Sequence, residues 1–301
     1  MPIAKINGHD IAYETHGDPS NTPLVMIMGL GSQLVHWPDE LIEALVARDL
    51  YVITPDNRDI GLSHKFADKG VPDIGQIMGD LAQGKAVEGP YSDKDMADDI
   101  AGLLDHLGIS RAHIHGVSMG GMITQRFGVN HPEKARSLIV HMSTTGAPGL
   151  APATPEAMGA LLTPPPATDR ETVLEHSVPM RNAIGSPGFP SDPERIKEYT
   201  GRAYDRCYDR DGVARQLAAI LTSGSRREAI QSITAPTLVI HGKDDPLVPV
   251  DGGEDVAANI KGARLEIIEG YGHDLPLQLV ERFTDLIAGF VEEVEAAQKA
   301  A

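Results

Sequence analysis

The turn Gly116-Val117-Ser118-Met119-Gly120 constrains this chain more than any other stretch, because the Gly-x-Ser-x-Gly pattern requires a strand before it and a helix after it. Two glycines remove the Cβ atoms that would collide where the chain reverses direction. Ala112-His113-Ile114-His115 has the short, mostly apolar make-up of a buried strand. After the turn, Met122, Ile123, Phe127 and Val129 supply a helix's apolar stripe. Ser118 then stands at the apex with its hydroxyl exposed, and the helix points its free N–H groups and positive dipole end at the space beside it.

The rest of the chain repeats this alternation. Lys5 to Thr15 reads as a hairpin turning at Asn7-Gly8. Pro23 to Met28, Leu50 to Thr54, Ser137 to His141, Thr237 to His241 and Leu265 to Ile268 read as buried strands. Between them lie helical segments at Pro38 to Ala47 and at Ser92 to Leu107, where Ser92 and Asp95 form a capping box. An amphipathic helix through Leu279, Phe283, Leu286, Ile287, Phe290 and Val294 closes the chain. Strands separated by helices imply right-handed crossovers and a mostly parallel, doubly wound α/β sheet.

The alternation breaks between residues 143 and 227, which contain Pro164-Pro165-Pro166 and helix-like pieces such as Pro193 to Tyr204. This places a core in residues 1–142 and 228–301, with 143–227 a helical insertion folded over the strand ends. Such a cover forms one wall of a pocket and restricts water.

In this fold class ligands sit beyond the carboxyl ends of the strands, so residues just after strands are the candidates for chemistry. A serine hydroxyl needs a general base, and the base needs an orienting group. Gly242-Lys243-Asp244-Asp245-Pro246 follows one strand and offers two carboxylates; Pro246 confines Asp245 to extended geometry and leaves Asp244 unrestrained. Glu269-Gly270-Tyr271-Gly272-His273 follows the next strand and brings His273 to the same edge.

The order Ser118, Asp245, His273 resembles that of the α/β-hydrolase superfamily. Further similarity lies in Met28-Gly29-Leu30-Gly31, Trp37-Pro38-Asp39-Glu40, Asp56 to Ser63 and Gly270-Tyr271-Gly272-His273, which match the branch of aclacinomycin methylesterase and the cofactor-free haloperoxidase-type esterases. The resemblance spans nearly the whole chain. It implies an α/β-hydrolase fold with a helical cap, a triad of Ser118, Asp245 and His273 with Asp244 a solvated neighbour, and an oxyanion hole from the Leu30 and Met119 N–H groups. One departure is Met28-Gly29, where many relatives have His-Gly.

The expected activity is that of a serine carboxylesterase on small to medium esters, without cofactor. Perhydrolase, thioesterase and C–C hydrolase chemistry can use the same triad, and a non-catalytic receptor can keep it. Gly29, Trp37 and Met142 are expected to line the pocket, and Met119, Met122, Met142, Met158 and Met180 to make it adaptable. Arg58 and Asp59 are expected to knot the loop beneath the site through a charged hydrogen bond.

A net charge of -17 with no Lys/Arg cluster argues against nucleic acid and anionic membranes as partners. No apolar run spans a bilayer, and the N-terminal stretch reads as folded strand. The single Cys207 forbids an intrachain disulfide, so a reducing cytoplasm is expected; the expected state is a monomer or homodimer. His113 and His115 share a strand face without a third ligand nearby and read as core histidines, with no metal site expected.

Overall fold

The computed structural model describes residues 1–300. Asn7 and Gly8, at φ of 50° and 88°, turn the chain between β1 (Ile3–Ile6) and β2 (His9–His16), which pair antiparallel. Then follow β3 (Thr22–Ile27), α1 (Asp39–Val46), β4 (Leu50–Pro55), α2 (Ile74–Ala82) and α3 (Asp93–His106). The capping box at the start of α3 is formed, Asp95 accepting from the Ser92 N–H at 2.8 Å and Ser92 Oγ accepting from the Asp95 N–H at 3.3 Å. The chain continues through β5 (Ala112–Val117), α4 (Met119–Asn130) and β6 (Ala135–His141).

Four helices then intervene before the next strand: α5 (Pro155–Leu162), α6 (Arg170–Ile184), α7 (Pro193–Arg206) and α8 (Arg210–Thr222). The alternation resumes with β7 (Thr237–Gly242), α9 (Val250–Asn259), β8 (Arg264–Ile268) and α10 (Val280–Ala300). One eight-stranded sheet results, ordered β1-β2-β4-β3-β5-β6-β7-β8 and parallel from β4 onward. From β3 the chain passes to β4 on one side and later to β5 on the other. The strand order thus reverses between β3 and β5, where open α/β sheets form their ligand crevice.

Both faces of the sheet are covered. Ile100 and Leu104 of α3 and Ile123 and Phe127 of α4 pack on one, while Leu41 and Leu45 of α1 and Phe283 and Ile287 of α10 pack on the other. Trp37, expected in the pocket, belongs to this second layer. It is completely buried, with its ring 5.4 Å from that of His115, because an indole at the start of α1 faces the sheet rather than the strand ends.

α2 was not anticipated from sequence, although Asp73 caps it by accepting from the Gln76 N–H at 2.9 Å. It packs against α8. Arg58 and Asp59 do not pair with each other, as a simple loop knot would require. Arg58 reaches Asp99 of α3 at 2.8 Å and Asp59 receives Arg215 of α8 at 2.9 Å, so the loop after β4 is tied to two different helices.

His113 and His115 are fully buried. His113 Nδ1 lies 2.7 Å from Ser137 Oγ, and His115 Nε2 lies 3.3 Å from His141 Nδ1. Burial pulls His113 down to about 4, against the opposing pull of Glu295, and His115 down to about 3. Both are protonated more readily in the unfolded chain, so their contribution is present above about pH 6.5 and is lost as pH falls toward those values. Each should remove about 1.4 kcal/mol of stability per pH unit in that window. Burial raises Asp274, which works in the opposite direction. Denaturant titration at pH 7 and pH 5 should therefore show a loss of several kcal/mol at the lower pH, and equal stabilities would contradict this account.

Candidate active site

β5 ends at Val117 and α4 begins at Met119, leaving Ser118 alone to make the reversal at φ 56° and ψ -119°. A non-glycine residue at positive φ is strained, and persists only where its surroundings hold it. Here the Ser118 N–H donates to the His141 carbonyl at 2.9 Å, and the Ser118 carbonyl accepts from the Gly121 N–H at 2.9 Å and Ser143 Oγ at 2.8 Å. A Cβ at Gly116 would strike the Gly120 carbonyl, and one at Gly120 would strike the carbonyls of Ile27 and Met28. The obstacles are backbone atoms and cannot rotate away. Gly120→Ala should therefore destabilise the protein by about 2–3 kcal/mol, measurable as a lowered denaturant midpoint, whereas an unchanged midpoint would show that α4 can slide outward.

His273 Nε2 lies 2.9 Å from Ser118 Oγ, and His273 Nδ1 lies 2.7 Å from Asp245 Oδ2. Both His273 and Asp245 are buried. The other oxygen of Asp245 accepts from the N–H groups of Leu247 and Val248 at 2.9 and 2.8 Å. His241 Nε2, which bonds the Val248 carbonyl at 2.8 Å, lies 3.7 Å from Asp245 Oδ2. Asp244 is exposed but not merely solvated: its carboxylate accepts from the Gly270 N–H at 2.8 Å and so holds the histidine loop. That loop is also braced from α6, because the His273 N–H donates to the Ile184 carbonyl at 2.8 Å.

The loop after β3 runs beside Ser118, close enough that a Cβ on Gly29 would sit 3.1 Å from the serine Cβ. Its hydrogen bonds, in the absence of the His-Gly sequence, come from elsewhere. Asn57 Nδ2 donates to the Met28 carbonyl at 2.8 Å, the Gly31 N–H donates to Gln216 of α8 at 2.9 Å, and the Leu34 N–H donates to Asp56 at 2.9 Å. The N–H groups of Leu30 and Met119 have no protein acceptor among the described residues, which leaves both free for an oxygen at the serine.

Ser118 and His273 open into a cavity of about 680 Å³ whose wall is largely apolar. Gly29, Leu30 and Met142 line it, as do Met122, Met158 and Met180. Met119 does not; its side chain is buried in the core beneath the elbow. Ile74 and Met78 of α2 add a wall that sequence reading missed, although Ile74, Ile77, Met78 and Leu81 follow helical spacing. Among the described residues no cluster of His, Cys, Asp and Glu is arranged to hold a metal. No described helix is long and apolar enough to cross a membrane.

The family model of the alpha/beta hydrolase fold matches residues 22–278, and the chain belongs to that family. It is 29% identical over 304 residues to rhodomycin D methylesterase of Streptomyces peucetius, covering 93% of this chain and 95% of the relative. It is 26% identical over 297 residues to 2-hydroxymuconate semialdehyde hydrolase of a Pseudomonas species, covering 95% and 93%. A solved meta-cleavage product hydrolase of Pseudomonas fluorescens superposes with a TM-score of 0.72 at 21% identity, covering 97% of this chain and 98% of that one, which is a likeness of fold.

Proposed function

We propose that this protein is a serine carboxylesterase that cleaves small to medium carboxylic esters through an acyl-enzyme, with residues 143–227 acting as a cap over the site. The observation that carries the reading is the continuous line from Asp245 through His273 to Ser118, at 2.7 and 2.9 Å, opening onto an apolar cavity.

In this reading Asp245 accepts the Nδ1–H of His273, so that Nε2 is the basic nitrogen facing Ser118. His273 takes the hydroxyl proton as Ser118 Oγ attacks the ester carbonyl carbon. The oxygen becomes an oxyanion beside the free N–H groups of Leu30 and Met119, where one such donor typically contributes about 3 kcal/mol. The C–O bond then breaks, and the alcohol leaves with the proton carried by His273. Water repeats the sequence on the acyl-enzyme, releasing the acid and restoring Ser118. The likeness to rhodomycin D methylesterase, 29% identical across 93% of this chain, supports ester cleavage.

A panel of p-nitrophenyl esters from acetate to decanoate, with methyl esters added, tests this. Turnover should rise with acyl length to an optimum set by the cavity and fall beyond it. No release from any member of the panel would overturn the reading in favour of a ligand-binding protein that keeps the fold.

A further inference from the structure

The cavity in front of Ser118 is lined by a cation that has no ion-pair partner among the described residues. Arg181 of α6 lines it half-buried, yet forms no ion pair and no side-chain hydrogen bond among the described residues. The contrast with other inward-facing arginines is sharp. Arg195, on the same cavity, is engaged by Glu40 at 2.6 Å and by the Tyr199 hydroxyl. Arg58, Arg215 and Arg226 are paired with Asp99, Asp59 and Asp93.

Asp274 is the carboxylate whose charge reaches Arg181, but it lies outside ion-pair distance and is already bonded by the hydroxyls of Ser186 and Ser191. Burial also raises the Asp274 carboxyl, against the opposing pull of its serine hydrogen bonds. Burial draws the Arg181 guanidinium below the ordinary arginine range, with the charge of Asp274 opposing it.

A second donor faces the same space. His36 lines the cavity and is pulled down to about 3 by burial and then by the charge of Arg181, so its ring is neutral. Its Nδ1 accepts from the Gln33 N–H at 2.9 Å, which assigns the proton to Nε2, and that N–H has no acceptor among the described residues. Arg181 and His36 also both border an adjoining cavity of about 210 Å³, so they stand at the partition between the two spaces.

An isolated charge removed from water is expensive unless a counter-ion and hydrogen bonds meet it. A guanidinium fork lining the same cavity as one imidazole N–H offers donors for the two oxygens of a carboxylate. We infer that Arg181 and His36 bind a free carboxylate on the substrate, so that the esters this site prefers are half-esters of dicarboxylic acids or esters with an equivalent remote carboxylate. This rests on the assignment of Ser118, His273 and Asp245 as the hydrolytic centre.

The experiment compares p-nitrophenyl half-esters of succinic, glutaric, adipic and suberic acid with the neutral p-nitrophenyl esters of equal chain length. At the length that spans the cavity, kcat/KM for the half-ester should exceed that of its neutral counterpart by about 10- to 100-fold, the range expected of a charge-assisted hydrogen-bond pair. Arg181→Gln should bring this ratio to one or below, mainly through KM, and Arg181→Lys should restore it in part. His36→Gln should lower the same ratio and provides a second reading if Arg181→Gln does not fold.

A ratio near one for the unmodified protein at every length, or the same ratio in Arg181→Gln, would overturn the inference. Binding without turnover separates this from the hydrolytic assignment. Adipate should raise the Tm of the Ser118→Ala protein and leave that of the Ser118→Ala, Arg181→Gln protein where it is; equal shifts would count against Arg181 even if no ester is cleaved. Conversely, cleavage of both ester classes at equal rates by the unmodified and Ser118→Ala proteins would remove the hydrolytic assignment, leaving the Tm comparison to decide the carboxylate site.

Discussion

Ser118→Ala should lower kcat on p-nitrophenyl butyrate by at least about 10⁴-fold, with KM changed far less, because the attacking atom is lost while the cavity wall stays in place. The hydrogen bonds to His141, Gly121 and Ser143 use only the main-chain atoms of Ser118 itself, so they survive in the variant. Alanine at φ 56° is no less strained than serine, and the denaturant midpoint should move by under about 1 kcal/mol. Any activity that remains would come from binding and from the free N–H groups of Leu30 and Met119. Retention of more than about a tenth of kcat would remove Ser118 from the mechanism, whereas collapse of the fold would show that the hydroxyl is needed to hold the elbow.

The second large effect separates two adjacent carboxylates. In Asp245→Asn the amide oxygen is required where Oδ1 now accepts from both the Leu247 and Val248 N–H groups. That choice turns the NH₂ group toward His273 Nδ1, which must then act as acceptor and place its proton on Nε2, facing Ser118. The imidazole is held in the wrong tautomer and cannot take the serine proton, so kcat should fall by about 10³- to 10⁴-fold. Asp244→Asn keeps an oxygen for the Gly270 N–H, the bond Asp244 makes in the structure. It should change kcat by less than about threefold, since an exposed neutral acceptor replaces an exposed charged one. Steady-state kinetics of the two variants side by side decide the matter, and a larger loss at Asp244 would reverse the assignment.

The elements that carry strong local rules were readable before any coordinates. The elbow is set by two glycines that touch backbone, the β1–β2 turn by Asn7-Gly8, and the α3 start by Ser92 and Asp95. Each depends on residues close in sequence. Asp245, the carboxylate directly before Pro246, is also the one that lies against His273, at 2.7 Å.

What escaped depends on contacts across the chain. Gln216 bonds Gly31 from 185 residues away, and nothing near either residue signals the pair. Arg58 and Asp59 look like natural partners as neighbours, yet Asp99 and Arg215 lie in better positions. Trp37 had the composition of a pocket residue and the location of a core one, a distinction set by which face of α1 meets the sheet. Helix α9 was hidden by Gly252 and Gly253, whose small size is required because a Cβ on Gly253 would strike the ring of His241. Arg181 is illegible for the opposite reason: its distinguishing property is the absence of an ion-pair partner among the described residues, which only the packed structure reveals.

The central claim is that Ser118 forms a covalent bond in the reaction. Treatment with an alkyl fluorophosphonate, which traps an activated serine, should add one phosphonyl group per chain, and peptide mapping by mass spectrometry should place it on Ser118. His273→Ala should slow the labelling by orders of magnitude, because the hydroxyl loses the base at 2.9 Å. An adduct on any other residue, or labelling of Ser118 at the same rate with and without His273, would contradict the account.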